Sequence, residues 1–595
     1  MIGASTDAIP IKVHAPLDSG PAGDAASRQA LSALSKQISS LKATKAALPH
    51  MKRAVAFCQS KEFEKARDAA RRAVEADPRL VIGWHVLGIA LEKTDDFEGA
   101  LDAYEKGLVL DPTNPPIAND LGRLAMRLEM LPQAEALFRH YLAHRPNSPE
   151  AANNLGCLLR AQMRFQDAID ILKPAVQAHP DHTLLWITLG TVVGDMGQIE
   201  SSEAFYREAI RLEPMNAKAR YNLSHVLYTH GDLDEAIALG ESALADAENP
   251  SDAAMMRFAL AVGRLTRGDI ARGWENYDAR LDPHYHEPIH FVCNRPRWEP
   301  GADIAGRHLF LFGEQGLGDE IMFASLLPDV LRELGPGGRL TMAVTDRLLP
   351  LFRRSFPEVN FGLHKTVKHR GHNIRSAPFI ENWEDIDLWA PMAEPVRQFR
   401  LSLEDFPDRP EGFMRADPER VAYWRGVMDA LPGPKIGLLW TSLVINNHRQ
   451  RFFAAMEEWE PLLRTPGVTF VNLQYGDRSA DLALARERFG VEIFDPPGID
   501  LRNDLDEVAA LASALDLVIG ISNASFNIAA ACGTPCWLVT GRRSWTRLGT
   551  DHYPWYSQVR VFENQDYNDW SPTMARITEA LSERVNGGTL LRAAG

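Results

Sequence analysis

The residues best placed for chemistry are a glycine-rich octet, Gly313-Glu314-Gln315-Gly316-Leu317-Gly318-Asp319-Glu320. It follows a short apolar run at 308–312 and precedes a longer one at 321–334, so it reads as a strand-to-helix turn. Its glycines allow a tight bend. It has neither the Gly-Lys-Ser/Thr of a phosphate loop nor the spacing of a dinucleotide fingerprint, which argues against nucleotide hydrolysis and against NAD. Asp319 and Glu320 fall in the first helical turn, where acids complement the helix dipole; taken alone, that structural role suffices. A second group is Ile521-Ser522-Asn523-Ala524-Ser525, which opens a helix after a buried strand, where amides and hydroxyls receive phosphate oxygens. Gln474-Tyr475-Gly476 ends another strand and suits contact with a base or ribose. Arg449 and Arg451 carry forks fitted to a phosphate or a carboxylate, or else are two solvated surface arginines.

Other clusters read as structural. The cationic run His364, Lys365, Lys368, His369, Arg370 and His372 is expected to be a solvated connection rather than an anion contact. Asp385-Ile386-Asp387 leads into a strand and Asp504-Leu505-Asp506 begins a helix, so both are element boundaries rather than a metal-nucleotide clamp. Cys532 and Cys536 have no partners at zinc spacing. No metal and no cofactor are expected.

The elements that must position these residues are strands alternating with helices. One series has strands at 308–312, 340–345 and 386–390. A second, after Pro432-Gly433-Pro434, has strands at 435–440, 468–474, 491–494, 517–521 and 536–540, with helices at 503–515 and 525–532. Such alternation implies parallel sheets with ligands at the strands' carboxyl ends. The expectation is two Rossmann-like lobes facing a cleft, at 284–430 and 431–595. The uncharged stretch 517–541 is long enough to span a bilayer, but its glycines, asparagines and proline make it a doubly buried strand–helix–strand.

Upstream the period changes. Pro78, Pro112, Pro146, Pro180 and Pro214 recur every 34 residues, as do Gly88, Gly122, Gly156 and Gly190, and Ala66, Ala100, Ala134, Ala168, Ser202 and Ala236. Three series in one register match the tetratricopeptide repeat, a helix–turn–helix unit that buries its apolar face only by stacking on its neighbours. About six units are expected at 46–249, and a degenerate seventh around Gly268, Asp269, Ile270 and Trp274 caps the array, which closes at 283. Asn119, Asn153, Asn154 and Asn222 lie on first helices and are candidates to hold the backbone of a protein in the groove; alternatively they are ordinary polar helix positions. Residues 1–45 read as a flexible arm and leading helix.

Composition supports a globular chain. Of 595 residues 45 % are apolar and 24 % charged, and the net charge of −15 excludes a surface that coats nucleic acid. Five scattered cysteines and the lack of a leader-like N-terminus are expected of a soluble cytoplasmic protein.

A repeat array followed by RPRWEPGADIAGRHLFLFGEQGLGDEIMFASLLPDVL and ALDLVIGISNASFNIAAACGTPCWLV resembles a group of two-lobed GT-B glycosyltransferases related to the heptosyltransferases. In whole-chain architecture it is most similar to the alphaproteobacterial flagellin glycosyltransferases. The resemblance implies that the repeats recruit flagellin and that a nonulosonic acid of the pseudaminic type passes from a CMP-activated donor to Ser or Thr hydroxyls. It implies Asp319 as catalytic base with Glu320 in reserve. The implied donor site comprises Gly316, Gly318, Thr441, Ser442, Arg449, Arg451, Gln474, Ser522, Asn523, Ala524 and Ser525. Ser522-Asn523 replaces the acid usual there, which is compatible with an anionic donor. Two alternatives stay open: a UDP-sugar donor, as in repeat-bearing O-GlcNAc transferases, and a non-enzymatic scaffold or chaperone in flagellar assembly.

Overall fold

The computed structural model describes residues 46–286, 288–369, 372–442, 453–566 and 569–587. Their contacts divide into two units, one running to Val226 and the other from Leu227 onward.

The first unit is helical throughout. Paired helices run Leu48–Gln59 with Phe63–Ala76, Val81–Lys93 with Phe97–Leu110, Pro115–Arg127 with Leu131–His144, Pro149–Ala161 with Phe165–Ala178, and Thr183–Asp195 with Ile199–Leu212. Ala217–His230 opens the next pair. Each second helix ends two residues before a periodic proline, which cannot continue it. The periodic glycines are explained by their partners. A Cβ on Gly88 would stand 2.5 Å from the Tyr104 ring, on Gly122 2.7 Å from Phe138, on Gly156 2.8 Å from Leu172, and on Gly190 2.9 Å from Tyr206. Those four partners are themselves 34 residues apart and fully buried. The repeat thus pairs a missing side chain on one helix with a large one on the next.

The second unit begins with helices Leu233–Ala245, Pro250–Arg267 and Ile270–Tyr277 and continues into three sheets. In the first sheet, β2 (His308–Phe312), β3 (Arg339–Val344), β4 (Asn360–Leu363) and β7 (Leu388–Pro391) are all parallel, in the order β4-β3-β2-β7. In the second, β8 (Lys435–Leu439), β9 (Thr469–Asn472), β10 (Leu517–Gly520), β11 (Cys536–Thr540) and β12 (Val559–Glu563) are parallel in the order β12-β11-β10-β8-β9. The cationic run expected to be a connection instead forms strands: β5 (Lys365–His369) pairs antiparallel with β6 (His372–Ser376), and β1 (Ile289–Phe291) joins β6 in parallel. Alternation in Lys365-Thr366-Val367-Lys368 suits a hairpin edge, and its charges keep the edge solvated. The segment 491–494 supplies only one bridge, Val471 to Phe494.

The strand orders place a switch point in each parallel sheet. From β2 the chain moves outward to β3 and β4 and returns to the other side as β7; from β8 it moves to β9 and returns as β10. Each sheet therefore has a switch point beside its first strand, where the loops after neighbouring strands part and leave a cleft. The glycine-rich octet follows β2, Thr441 and Ser442 follow β8, and Ile521 to Ser525 follow β10.

The helices before the sheets share their core. Phe258, Leu265, Ile270, Trp274 and Tyr277 belong to one buried cluster with Leu309, Phe323, Trp545 and Trp555. Trp274 packs edge-on against Trp545 and Trp555 at 6.1 and 6.3 Å, and its indole N–H donates to the Arg400 carbonyl at 2.8 Å. By contacts, the division at 226/227 therefore falls well before residue 283, because the capping pair's aromatic face is covered by the α/β part.

Candidate functional site

Two helix N-termini meet at the centre of the second unit. α1 (Leu317–Phe323) starts at the octet, and α3 (Ala524–Ala531) starts at Asn523; α2 (Leu505–Ser513) lies between them in sequence. A Cβ on Gly318 would stand 3.2 Å from Asn527 Nδ2 and 3.7 Å from the Ala524 backbone N. Glycine at 318 thus lets the start of one lobe's helix approach the start of the other's. Gly313 is constrained similarly, since a Cβ there would lie 2.8 Å from Glu320 Oε1 and 2.9 Å from the Ala343 carbonyl.

The three acids of the octet have separate surroundings. Glu314 is fully buried, forked by Arg280 at 2.8 and 2.8 Å, and also accepts from the Ala393 N–H at 2.8 Å. Glu320 is buried too, accepting from the Thr345 N–H at 3.3 Å and the Thr345 hydroxyl at 3.1 Å, with His364 Nε2 at 3.3 Å. Asp319 has one such bond, from the Gly316 N–H at 3.1 Å. Desolvation raises its pKa to about 7; the negative charges of Glu314 and Glu320 add to the rise, while the Gly316 bond opposes it. A carboxyl with that value is partly ionised at neutral pH, as a general base requires. Glu320, spent on Thr345 and His364, holds the turn instead. Arg375 donates to the Gly313 carbonyl from β6, tying the hairpin to the same turn.

On the facing helix start, the Asn523 carboxamide oxygen caps α3 by accepting from the Phe526 N–H at 3.0 Å, leaving its buried Nδ2 without a partner. Ser525 is fully buried with an unpartnered hydroxyl. Gln474 Oε1 accepts the N–H groups of Trp440 and Thr441 at 3.0 and 2.9 Å, and its buried Nε2 is unpartnered. Thr441 and Ser442 are partly exposed at the end of β8. Asn527 Nδ2 donates to the Asn523 carbonyl at 2.8 Å and reaches Ser522 Oγ at 3.4 Å, while its Oδ1 accepts from the Tyr556 hydroxyl at 3.0 Å. The structure therefore brings Gly316, Gly318, Asp319, Ser522, Asn523, Ala524 and Ser525 to one junction. Arg449 and Arg451, and Arg370 of the cationic run, lie outside the described residues.

The repeat asparagines are placed differently from a set of open groove contacts. Asn119, Asn153, Asn154 and Asn222 are all buried. Asn154 donates to Asn119 at 2.7 Å, and the Thr188 hydroxyl donates to Asn153 at 2.6 Å. His85 with Asp120 at 2.8 Å and Arg160 with Asp195 at 2.6 Å continue the pattern. Each bond joins residues 35 apart, so it links one first helix to the next along the stack. Burial makes such bonds stabilising when made and costly when broken.

Neither Asp-x-Asp segment is free. The Asp387 carboxylate accepts from the His308 N–H at 2.7 Å, Asp504 caps α2 through the Glu507 N–H at 3.1 Å, and Asp506 pairs with Arg354 at 2.7 Å. Among the described residues no cluster of His, Cys, Asp and Glu is arranged to hold a metal ion, and no helix is long and apolar enough to cross a membrane.

Tetratricopeptide-repeat family models match residues 41–115, 92–155 and 187–254. Protein FlbA of Caulobacter vibrioides is 45 % identical over 572 residues, spanning 96 % of this chain and 96 % of that protein. The chain belongs to the FlbA family. Beyond this FlbA relative, the human Protein O-mannosyl-transferase TMTC1 is 29 % identical over 162 residues, 27 % of this chain and 18 % of that one. A tetratricopeptide repeat protein from Parabacteroides merdae covers 39 % of the chain and 91 % of its own, with 15 % identity and a TM-score of 0.35.

Sequence reasoning passed over four residues that the structure brings to the site of this FlbA-family chain: Tyr277, Arg280, Asn527 and Tyr556. Asn527 sits one turn inside α3, within reach of inspection. The other three are far from the motifs in sequence and carry no local pattern.

Proposed function

We propose that this chain is a protein O-glycosyltransferase of the GT-B kind that modifies flagellin Ser or Thr hydroxyls with a nonulosonic acid of the pseudaminic type from a CMP-activated donor. The observation that carries this reading is Asp319: a carboxyl with a pKa near 7, on the first turn of one lobe's helix, beside the N-terminus of the other lobe's helix. The acceptor oxygen attacks the donor's anomeric carbon while Asp319 takes its proton. The bond from that carbon to the CMP phosphate oxygen breaks, and CMP leaves with the electron pair. The N-terminus of α3, with Asn523 Nδ2 and the Ser525 hydroxyl unpartnered, suits the phosphate that gains this charge. Gln474 Nε2 suits the base or ribose, with Thr441 and Ser442 beside it. The repeats recruit the acceptor, and membership of the FlbA family is consistent with a flagellar one; the human relative of the repeat segment is itself a protein O-mannosyl-transferase by name.

Purified protein, flagellin and CMP-pseudaminic acid should yield flagellin of increased mass, and Asp319→Ala should abolish the shift. CMP should stabilise the protein against heat more than UDP does. Preference for UDP would assign a UDP-sugar donor, and response to neither nucleotide, with flagellin still captured by the repeats, would assign a scaffold.

A further inference from the structure

Tyr277 ends the last helix before the sheets, and its side chain is 1 % exposed. Its hydroxyl is buried and makes no hydrogen bond. An unpaired buried hydroxyl lowers stability, so its retention asks for a reason. The ring is fixed from several sides. Trp274 lies at 5.4 Å, Phe258 at 5.5 Å, Trp545 at 6.0 Å and Phe323 at 6.4 Å between centroids. The Arg280 guanidinium stands over it at 4.5 Å while forking Glu314 of the octet. Phe323 follows Asp319 by four residues on α1, so the two share a helix face, and Tyr277 packs on the Phe323 end of it. Burial keeps the phenol well above its ordinary pKa; the Arg280 charge opposes this, and the charges of Asp319 and Glu314 reinforce it. The phenol is therefore neutral and able to donate.

We propose that Tyr277 belongs to the reaction centre, its hydroxyl donating a hydrogen bond to the acceptor oxygen that Asp319 deprotonates, so that the helix capping the repeat array contributes a side chain to catalysis. This rests on the transferase reading above. The acceptor oxygen then gives its proton to Asp319, directs one lone pair at the anomeric carbon and receives the phenol's hydrogen bond on the other.

Tyr277→Phe removes one oxygen and keeps the ring packing. The expected result is an unchanged or higher melting temperature without ligand, unchanged stabilisation by CMP, and a fall in kcat/KM for flagellin of about tenfold or more, carried mainly in kcat. A lower melting temperature would mean the hydroxyl is structurally paired and would overturn the proposal. So would transfer at the wild-type rate. If wild-type protein transfers normally and only the Tyr277→Phe result fails, the transferase reading stands without this residue. Wild-type protein that transfers nothing removes both.

Discussion

Replacing Asp319 by Asn isolates the electrostatic cost of the carboxylate proposed as the base. The carboxyl's pKa is raised from 3.8 to about 7, so in the unfolded chain it ionises near pH 4 and in the folded chain only near neutrality. Between those values the folded state holds the extra proton, and stability falls as pH rises through the window. Three pH units correspond to about 4 kcal/mol; Asp319 as a residue is half-buried, and with screening about 2–3 kcal/mol is expected at pH 8. Asn keeps an oxygen to accept the Gly316 N–H but has no charge to desolvate. The variant and wild type should therefore be equally stable near pH 4, with the variant gaining progressively up to pH 8. The assay is calorimetric or fluorescence-detected unfolding of both proteins across that range, so that titrations common to both cancel in the difference. A difference that stays flat with pH, or that grows toward acid, would refute the argument. The same titration appears in activity as an acid limb near pH 7, which Glu320→Gln moves to lower pH by removing one of the charges that raise it.

Three further outcomes are expected. Arg280→Met strips the buried Glu314 of its partner and should cost about 3–5 kcal/mol in thermal unfolding, with the Arg280→Met/Glu314→Gln pair recovering part of it; equal stability of the single variant would count against the pair's role. Asn154→Ala removes one rung between neighbouring first helices and should destabilise the repeats by about 1–3 kcal/mol, read by circular dichroism of the melting array. Asn523→Ala deletes the α3 cap, costing about 1 kcal/mol, and should weaken CMP binding measured by calorimetry; undiminished affinity would move the phosphate site elsewhere.

Much of the architecture was legible in the residues. The 34-residue register exposes the helical pairs because stacking demands the same small and large side chains at each turn of the array, as Gly122 against Phe138 illustrates. The inner strands β2, β3, β8, β10 and β11 stand out as apolar runs because they are buried along most of their length, whereas the partly exposed edge strands β4 and β12 carry no such run and were not expected. The hairpin of β5 and β6 was hidden because its edge is solvated and its charged residues resemble those of a loop. Burial of the repeat asparagines was equally invisible, since a helix position 35 residues from its partner shows nothing locally of the bond it makes.

The sequence by itself determined the repeat array, two α/β series, and an acid following a glycine-rich turn, because periodicity and local turn chemistry are properties of short segments. Only the tertiary structure decided which acid is free to act. Glu314 and Glu320 are consumed by Arg280, Thr345 and His364, whereas Asp319 is left desolvated with one backbone bond. It likewise decided that Tyr277, 42 residues earlier in the chain, stands against the helix that carries Asp319. Desolvation and the closing of distant contacts depend on the packed environment, and no segment of the chain encodes them alone.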